Sequence, residues 1–493
     1  MSDAGLIGLL ESGLILFLGL AAGLALDDLF VDAVALWKGL RPKEIDQDEL
    51  KRLRRLSQKS VAVVVANWHE EDVIERMLRG NLARVEYARV WFFVGVYPND
   101  PGTLEAARRV ARQDSRVIVV ENPMPGPTTK GQMLNVIFRR AFEIEERMGH
   151  PFDLFMMHDS EDVLHPQSLL LINSEADRAD FVQIPVFSFP RRKSQFVAST
   201  YIDEFSELHT KDLLVRDAMN AGVPSAGVGT AISRKLVMAM MARQDGQVLI
   251  EGSLTEDYIL GLTASEMGFQ TRFVSRFIAV RDKAGQLRRR DFIATREYFP
   301  SEWERAVRQK GRWVHGIVLQ GGRMLSVSGS LARRYFLMRD RKGPIAAAVG
   351  VLGISLLALN LLVREFHTEF HQAQLMPLYV SPIVLGLFGF NLFAGVVRAI
   401  QRVRAVRLTQ DWSTAILSVV RIPIGNFLNF FAVVRAIRQD RAAVKKGEAP
   451  KWTKTTHELP ADFGLEVGDV AVAAGPSVSS PSLETQIEKQ VQP

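Results

Sequence analysis

Two acidic residues near the middle of this chain, Asp159 and Glu161, have the spacing of a metal-binding loop. They follow an apolar run, so a strand would deliver both carboxylates to one edge of a sheet. Carboxylate oxygens are the ligands that Mg²⁺ and Mn²⁺ prefer, and such an ion neutralises a diphosphate as it leaves. The alternative is a cluster that caps a helix beginning near Pro166.

Farther along the chain, Glu256 and Asp257 offer a base for proton transfer. A hydroxyl that attacks a carbon atom loses its proton, and a carboxylate within hydrogen-bond reach accepts it. Asp257 is the predicted base and Glu256 is the second candidate. Thr255 in front of them also fits a helix cap, so a purely structural role is the competing interpretation.

A third group, Gln309, Arg312 and Trp313, combines three modes of recognition. The Arg312 guanidinium is always charged and suits a leaving diphosphate. Gln309 can hydrogen-bond a phosphate or a hydroxyl, and Trp313 can stack on a sugar ring. On an isolated helix the same residues would form a solvated face, or Trp313 would pack on the sheet.

Weaker signals mark further binding residues. Lys130, followed by Asn135, could contact a phosphate or a base edge from a helix start, although a surface lysine is the simpler interpretation. Glu70 is a candidate for contact with a ribose or a base. Gly229 and Thr230 belong to a glycine-rich turn where a substrate could approach the backbone, or to a plain structural turn.

The elements that must position these residues are predicted from the apolar pattern. Apolar, strand-like runs alternate with helical stretches, and this alternation predicts an α/β fold with a mostly parallel sheet covered on both faces. Ligands of such sheets bind beyond the carboxyl ends of the strands, where Glu70 and the acidic loop fall. The predicted strands are Val61–Val65, Val90–Val96, Val117–Val120 and Leu154–Met157.

Composition narrows the chemistry further. Of the 493 residues, 47% are apolar and none is cysteine, which excludes disulfides, thiolate metal sites and cysteine nucleophiles. The net charge of +6 would suit nucleic acid, but the basic residues crowd beside apolar stretches, as at Arg398–Arg407. That placement favours anionic lipid. Nucleic acid is not an expected partner, because basic and aromatic residues do not interleave in the central region.

Three apolar stretches, Leu6–Leu26, Ile345–Val363 and Met376–Val397, are long enough to cross a bilayer. Basic residues follow the first stretch and flank the other two. The positive-inside bias therefore places the long central region in the cytoplasm of a multi-pass membrane protein.

Another stretch, Ala415–Val434, is apolar but contains Arg421 and Pro423 and has basic flanks on both sides. A re-entrant or interfacial helix is favoured over a fourth crossing. The end of the chain lacks any helical or strand period and is expected to be disordered. The predicted organisation is an N-terminal transmembrane helix with an interfacial segment at 1–40, a sheet domain at 58–325, transmembrane and interfacial helices at 340–440, a basic juxtamembrane segment at 441–460 and a disordered tail at 461–493.

These positions match a known family. The chain resembles the inverting glycosyltransferases of family 2, which have the GT-A fold and include cellulose, hyaluronan and chitin synthases. More closely, it resembles bacterial inner-membrane glycosyltransferases of the phage-adsorption-protein B type, through His165-Pro166 and segments near 420–430 and 452–457. The positions that carry the broad resemblance are Lys130, Asn135, Asp159, Glu161, Thr255, Glu256, Asp257, Gln309, Arg312 and Trp313.

The resemblance implies a cytoplasmic GT-A-type domain and a UDP-sugar donor. It also implies a divalent metal at Asp159 and Glu161, with Asp257 as the base. Two of the chain's departures from the family pattern concern the site: Glu161 replaces an aspartate of the metal motif, and the acidic residue after the second strand is missing. Asp100 is the predicted substitute. The predicted donor-binding residues are Glu70, Asp100, Lys130, Asn135, Asp159 and Arg312, and the predicted acceptor-binding residues are Gly229, Thr230, Gln309 and Trp313.

The expected function is metal-dependent, inverting transfer of a sugar from a UDP-sugar to a growing polysaccharide at the bacterial inner (cytoplasmic) membrane, coupled to export. The expected partners are a UDP-sugar donor, a glycan acceptor, membrane lipid and export proteins. The alternative is a non-catalytic membrane component that binds a nucleotide sugar within an export or receptor complex.

Overall fold

The computed structural model describes residues 3–366, 381–446, 458–461 and 463–464. Its strands, in chain order, are β1 Lys43–Glu44, β2 Val61–Ala66, β3 Val90–Val96, β4 Val117–Glu121, β5 Leu154–His158, β6 Phe181–Gln183, β7 Val186–Ser188, β8 Thr230–Ser233, β9 Thr271–Phe273, β10 Arg276–Arg281, β11 Leu287–Phe292 and β12 Thr295–Glu297.

Helices separate and flank these strands. Two π-helical turns, Leu208–Asp212 and His315–Gln320, continue α7 and α11 respectively. The α-helices, in chain order, are α1 Asp3–Trp37, α2 Gln47–Arg55, α3 Ile74–Arg84, α4 Pro101–Ala111, α5 Lys130–Met148, α6 Ser168–Glu175, α7 Phe196–Glu207, α8 Leu213–Ala218, α9 Arg234–Arg243, α10 Glu256–Glu266, α11 Trp303–Val314, α12 Gly321–Met324, α13 Leu331–Arg341, α14 Gly343–Phe366, α15 Pro382–Thr409, α16 Trp412–Val420 and α17 Ile422–Lys446.

The main sheet has seven strands in the order β4-β3-β2-β5-β8-β6-β9. The first four strands are parallel, and β8 is antiparallel to both of its neighbours. Because β8 runs the other way, its first residue, Thr230, pairs with Met157 near the end of β5. The loop before β8 therefore lies at the same edge as the loops after β2 and β5. The predicted mostly parallel α/β sheet is confirmed.

Both faces of the sheet are buried. Val61, Val63 and Val65 of β2 pack into one apolar core with α3, α4 and α6. Ala62 and Val64 point the other way, into a second core with α5, α9 and α10. Burial on both sides is the reason that these strands are continuous apolar runs, which made them recognisable in the sequence.

Two small sheets complete the domain, one with the order β1-β10-β11 and one that pairs β12 with β7. Strand β12 runs parallel to β7, and Arg296 in β12 also forms a bridge with Val163, just after the acidic loop. These two pairings bring the end of β12 to the site edge of the main sheet.

Apolar helices lie at both ends of the domain, as predicted. Among the described residues, Ser12–Trp37 of α1 and all of α15 are long and apolar enough to cross a membrane. The described apolar part of α14, Gly343–Leu356, is shorter. Helices α16 and α17 meet at a bend of 59°. Residues 367–380, which include the start of the third predicted span, lie outside the described residues.

Helices α1 and α15 extend beyond the predicted spans because ion pairs hold their charged ends. In α1, Asp28 lies 2.8 Å from the Lys342 ammonium. In α15, Arg398 and Arg402 bind the Glu207 carboxylate of α7 at 3.1 and 2.6 Å. The basic segment after the apolar part of α15 is therefore a continued helix docked on the sheet domain.

A short segment after α17 returns to the sheet domain. Phe463 is buried against Gly80 of α3, where a Cβ would approach the Phe463 ring to 2.4 Å. The Arg76 guanidinium donates hydrogen bonds to the carbonyl oxygens of Pro460 and Phe463. The predicted disordered tail thus includes docked residues at its start, and 465–493 lie outside the described residues.

Candidate active site

An open cavity, of about 1350 Å³ when the solvent at its mouth is included, lies at the edge of the sheet where β2 and β5 end. Its walls come from the loop after β2, the start of α5, the acidic loop, the glycine turn before β8, the start of α10, the end of β12 and one face of α11. The predicted site residues that line it are Glu70, Lys130, Asp159, Glu161, Glu256, Asp257, Gln309, Arg312 and Trp313.

The acidic loop directly after β5 is shaped by Asp162. The fully buried Asp162 carboxylate accepts a hydrogen bond of 2.7 Å from the Asp159 backbone N–H and lies 2.9 Å from His158 Nδ1. Asp162 therefore fixes the loop, and Asp159 and Glu161 reach the cavity. Helix α6 begins later, after Gln167, without a side-chain cap. The alternative of a helix-capping cluster is not what the structure shows.

Lys130 is the first residue of α5, and its ammonium lies 2.5 Å from Asp159 Oδ1. Burial alone would lower the pKa of Lys130, but the nearby carboxylates of Asp159, Glu256 and Asp257 raise it above its usual value. Lys130 is therefore a permanent cation in a cavity where carboxylates are in excess.

Asp257 lies in the first turn of α10 with both carboxylate oxygens constrained. Oδ1 accepts a hydrogen bond of 2.7 Å from the Tyr258 backbone N–H. Oδ2 packs over Gly227, which has a φ of +82°, and a Cβ at that glycine would come within 2.2 Å of Oδ2. Glycine at 227 thus provides the space that the Asp257 carboxylate occupies.

Burial makes both acids of this turn weaker than usual. Burial and the neighbouring Asp257 charge raise the pKa of Glu256 to about 7, against the opposing effect of Lys130. Burial likewise raises the pKa of Asp257, and Lys130 again opposes the rise. Carboxylates with raised pKa values in a cleft are suited to accepting a proton near neutral pH.

The residues of α11 face two different surroundings, the cavity and helix α17. Gln309, Arg312 and Trp313, at positions i, i+3 and i+4, share the face that lines the cavity. The Trp313 ring packs edge-on near Tyr201, at 5.9 Å between ring centroids. Lys310, between them in sequence, is buried and hydrogen-bonds to Asn429 of α17 at 3.0 Å.

Four predicted residues do not line the cavity, because each is part of the structural frame around it. Asp100 caps α4 and accepts a hydrogen bond from the His69 backbone N–H. Asn135 binds the backbone of Val248 and Leu249. Gly229 has a φ of +63° and lies in the turn before β8, and the Thr230 hydroxyl donates to Gln183 Oε1.

Sequence reasoning gave no role to several residues that line the cavity, among them Trp68, Tyr97, Glu297 and Phe299. Glu297 matters most, because it adds a carboxylate beside the acidic loop. Burial, followed by the charges of Asp162, Glu161 and Asp159, raises its pKa well above the usual range. Its strand has only three residues and gives no local signal. Trp68, the second residue after β2, was a detectable signal, since the loop after β2 lies at the site edge.

The donor set at the acidic loop fits a divalent cation. Asp159, Glu161 and Glu297 line one cavity and supply hard oxygen ligands, and burial together with the neighbouring carboxylates raises the pKa of Glu297. A separate group consists of His69, Glu71 and Asp100, whose ligand atoms, within the described part of the chain, lie within 4.8 Å of one another.

Comparison with known proteins decides the family. A family model described as "Glycosyltransferase like family 2" matches residues 58–316, which is more than half of the chain. The chain belongs to glycosyltransferase-like family 2. The predicted family and the GT-A-type fold are thereby confirmed.

The curated relatives that the chain matches are longer than the chain itself. It is 37% identical over 457 residues to bacteriophage adsorption protein B of Escherichia coli strain K12. The same figures hold for bacteriophage N4 adsorption protein B of E. coli O157:H7. The match covers 89% of this chain but only 61% of the relative, so the chain spans about three fifths of those proteins.

Solved structures of glycosyltransferases overlap in part. Staphylococcus aureus TarS, residues 1–349, aligns over 79% of this chain and 92% of that chain, with 13% identity and a TM-score of 0.32. Glucosyl-3-phosphoglycerate synthase of Mycobacterium tuberculosis, in complex with Mn²⁺ and UDP-glucose, aligns over 40% of this chain and 65% of that chain, with 18% identity and a TM-score of 0.24.

Proposed function

We propose that this protein transfers a sugar from a UDP-sugar to the hydroxyl of a glycan acceptor at a membrane, with inversion at the anomeric carbon. The observation that carries the proposal is the convergence of Lys130, Asp159, Asp257 and Arg312 on one cavity, although up to 182 residues separate them in sequence. The cavity combines a base, a cation site and permanent positive charges for a diphosphate.

Asp257 is the proposed base. The acceptor hydroxyl oxygen forms the new bond to the anomeric carbon, the bond from that carbon to the phosphate oxygen breaks, and the hydroxyl proton passes to Asp257. Direct displacement inverts the configuration. The Tyr258 N–H on Oδ1 holds the carboxylate so that Oδ2 is the oxygen available for the proton. Glu256 is the second candidate.

The departing UDP carries negative charge that the cavity must stabilise. A Mg²⁺ or Mn²⁺ ion held by Asp159 and Glu161, with Glu297 close by, would supply most of the compensating charge when bound. Lys130 and Arg312 add fixed positive charge from the chain itself. Glu70, at the loop after β2, is the proposed contact for the nucleoside.

The acceptor side is proposed to be the wall formed by Gln309 and Trp313. The Trp313 indole is partly buried beside Phe299 and Tyr201, which holds its plane in a fixed orientation. A rigid indole beside an amide is suited to binding a sugar ring. We propose a growing polysaccharide as the acceptor at the bacterial inner membrane, with export partners beyond this chain.

The test is UDP release by purified protein in detergent or nanodiscs, with a panel of UDP-sugars and with Mg²⁺, Mn²⁺ or EDTA. We expect metal-dependent release from one donor, and its loss in Asp257→Asn. Glu251→Gln is the matched control, because Glu251 is an exposed carboxylate in the loop before α10. An unchanged rate in Asp257→Asn would contradict the assignment of the base.

Calorimetry of donor binding separates catalysis from the non-catalytic alternative. An enzyme with Asp257→Asn should bind UDP-sugar as the wild type does and fail to release UDP. If the wild type itself binds a UDP-sugar but releases no UDP with any acceptor glycan or metal tested, the protein is a binding component and the proposed transfer is wrong.

A further inference from the structure

Helix α16 has an inverted distribution of side chains. Its buried positions, Ala415 and Ser418, are small or polar, whereas its exposed side chains, apart from Ser413, are large and apolar. A surface helix in water shows the opposite arrangement. The exposed apolar stripe, at i, i+4, i+7 and i+8, consists of Trp412, Ile416, Val419 and Val420.

The preceding helix α15 also has an exposed apolar surface. Leu392, Val396 and Ile400 of α15 are all exposed, and α15 is long and apolar enough to cross a membrane. The guanidinium of Arg407, one turn before α16, lies over the Trp412 ring at 5.2 Å. An indole beside an arginine is the combination found where lipid acyl chains meet head groups.

Helices α16 and α17 are attached to the sheet domain at both of their ends. Before α16, the Lys193 ammonium, in the loop between β7 and α7, lies 3.6 Å from the Asp411 carboxylate. Near the end of α17, the Asp440 carboxylate accepts hydrogen bonds of 2.9 and 2.6 Å from Arg323 and lies 3.3 Å from His315 Nε2.

The bend between the two helices is attached as well. Arg421, at the bend, is fully buried and binds the buried Asp203 carboxylate of α7 at 2.7 and 2.8 Å. It also donates to the Thr414 carbonyl oxygen at 3.0 Å, which joins the bend to α16. A folded domain lies on one side of a bilayer, so a segment tied to it at both ends and at its bend cannot cross.

We propose that α16 and α17 form an interfacial segment that lies in the membrane leaflet on the side of the sheet domain and does not cross the bilayer. The stripe of α16 then contacts the lipid of that leaflet. At 1.5 Å per residue, the nine residues of α16 span about 13 Å, less than half of a hydrocarbon core of roughly 30 Å. The partner of the stripe is lipid, and this inference does not depend on sugar transfer.

The absence of cysteine from the sequence makes a direct test possible, because single cysteines can be introduced without removing native ones. Gln410→Cys and Lys445→Cys flank the segment, and Ala284→Cys in the exposed turn between β10 and β11 reports the side of the sheet domain. Each variant is treated with a membrane-impermeant maleimide in inverted and in right-side-out membrane vesicles. We expect all three to react at least tenfold faster in the same vesicle orientation. Opposite orientations for 410 and 445 would overturn the proposal.

A second measurement tests what covers the stripe. A nitroxide on Ile416→Cys should relax through collisions with lipid-soluble oxygen, whereas one on Ser413→Cys, an exposed polar position of the same helix, should respond to a water-soluble nickel chelate. Equal access of the nickel chelate to both sites would place α16 in water. Protection of 416 from both reagents would show that a second copy or another protein covers the stripe. Either result would overturn the assignment to lipid.

Discussion

The carboxylate of Asp257 occupies the space that a side chain at Gly227 would need, since a Cβ there would lie 2.2 Å from Asp257 Oδ2. The two residues come from different elements, the turn before β8 and the start of α10. The turn therefore determines the position of the proposed base, although Gly227 has no functional group of its own.

Gly227→Ala is expected to lower kcat roughly 100-fold, because displacement of a reacting group by about 1 Å has an effect of that order. Gly246→Ala is the matched control, since Gly246 has nearly the same φ, +83°, but open space where the Cβ would be. In both variants alanine must adopt a positive φ, which lowers the free energy of unfolding by about 1 kcal/mol. UDP-release assays beside thermal unfolding of both variants check the prediction. Equal activity of the two variants would contradict it.

Glu256 is expected to make the folded protein less stable as the pH rises. Its pKa is raised by burial from 4.5 to about 7, so between these values the folded state holds a proton that the unfolded state has lost. The penalty is absent below pH 4.5 and complete above pH 7, and it amounts to about 3 kcal/mol. Thermal unfolding of the wild type and Glu256→Gln at pH 5 and pH 7.5 measures it. The variant should lose less stability between the two pH values, and identical losses would show that the raised pKa is wrong.

The buried pair of Arg421 and Asp203 is expected to couple α17 to the sheet domain. Arg421→Met leaves the Asp203 carboxylate buried without its partner and should cost ~3–5 kcal/mol. The double variant Arg421→Met/Asp203→Leu should recover much of that loss, because no charge remains buried. Arg54→Met, which removes an exposed ion pair with Glu86, should cost no more than about 1 kcal/mol. Thermal unfolding of the purified proteins tests the cycle, and strictly additive single effects would argue against coupling.

Lys310 is expected to position the cavity face of α11. Its ammonium is buried between Glu204 of α7 and Asn429 of α17, while its neighbour Gln309 lines the cavity. Lys310→Met should lower kcat/KM for the acceptor roughly tenfold and leave the Kd for the donor nearly unchanged. Arg305→Met is the control on the same helix, because Arg305 forms an exposed ion pair with Glu302. Steady-state kinetics and donor calorimetry distinguish the effects, and equal behaviour of the two variants would refute a positioning role.

The long parallel strands, and the polar residues that follow them at the sheet edge, could be predicted from the sequence. Strands β2 to β5 agree with the predicted runs to within one residue at each end, because burial on both faces requires continuous apolar stretches. The same rule placed the acidic loop and Glu70 at one edge of the sheet. A helix start at Thr255 and a helix face with Gln309, Arg312 and Trp313 entered the sequence analysis only as the competing structural interpretations, although residue type and helical spacing, which are local properties, indicated both.

Residues that depend on contacts distant in sequence could not be predicted. Glu297 reaches the cavity because β12 pairs with β7 and bridges to Val163, and a strand of three residues has no pattern of its own. Asp100 and Asn135 have the residue types of a binding site but bind backbone groups of the frame. An acidic or amide side chain has the same appearance in sequence whether its partner is a ligand or a buried N–H.

The membrane segments divide in the same way. Apolar length and basic flanks are properties of the sequence, and they were sufficient to indicate the helices at both ends of the domain. The course of α16 and α17 was ambiguous in sequence, since Arg421 inside an apolar stretch fits either a crossing or a re-entrant helix. The tertiary structure supplies Asp203 as the partner of that arginine, because a buried charge is stable only where another part of the fold delivers its counter-charge.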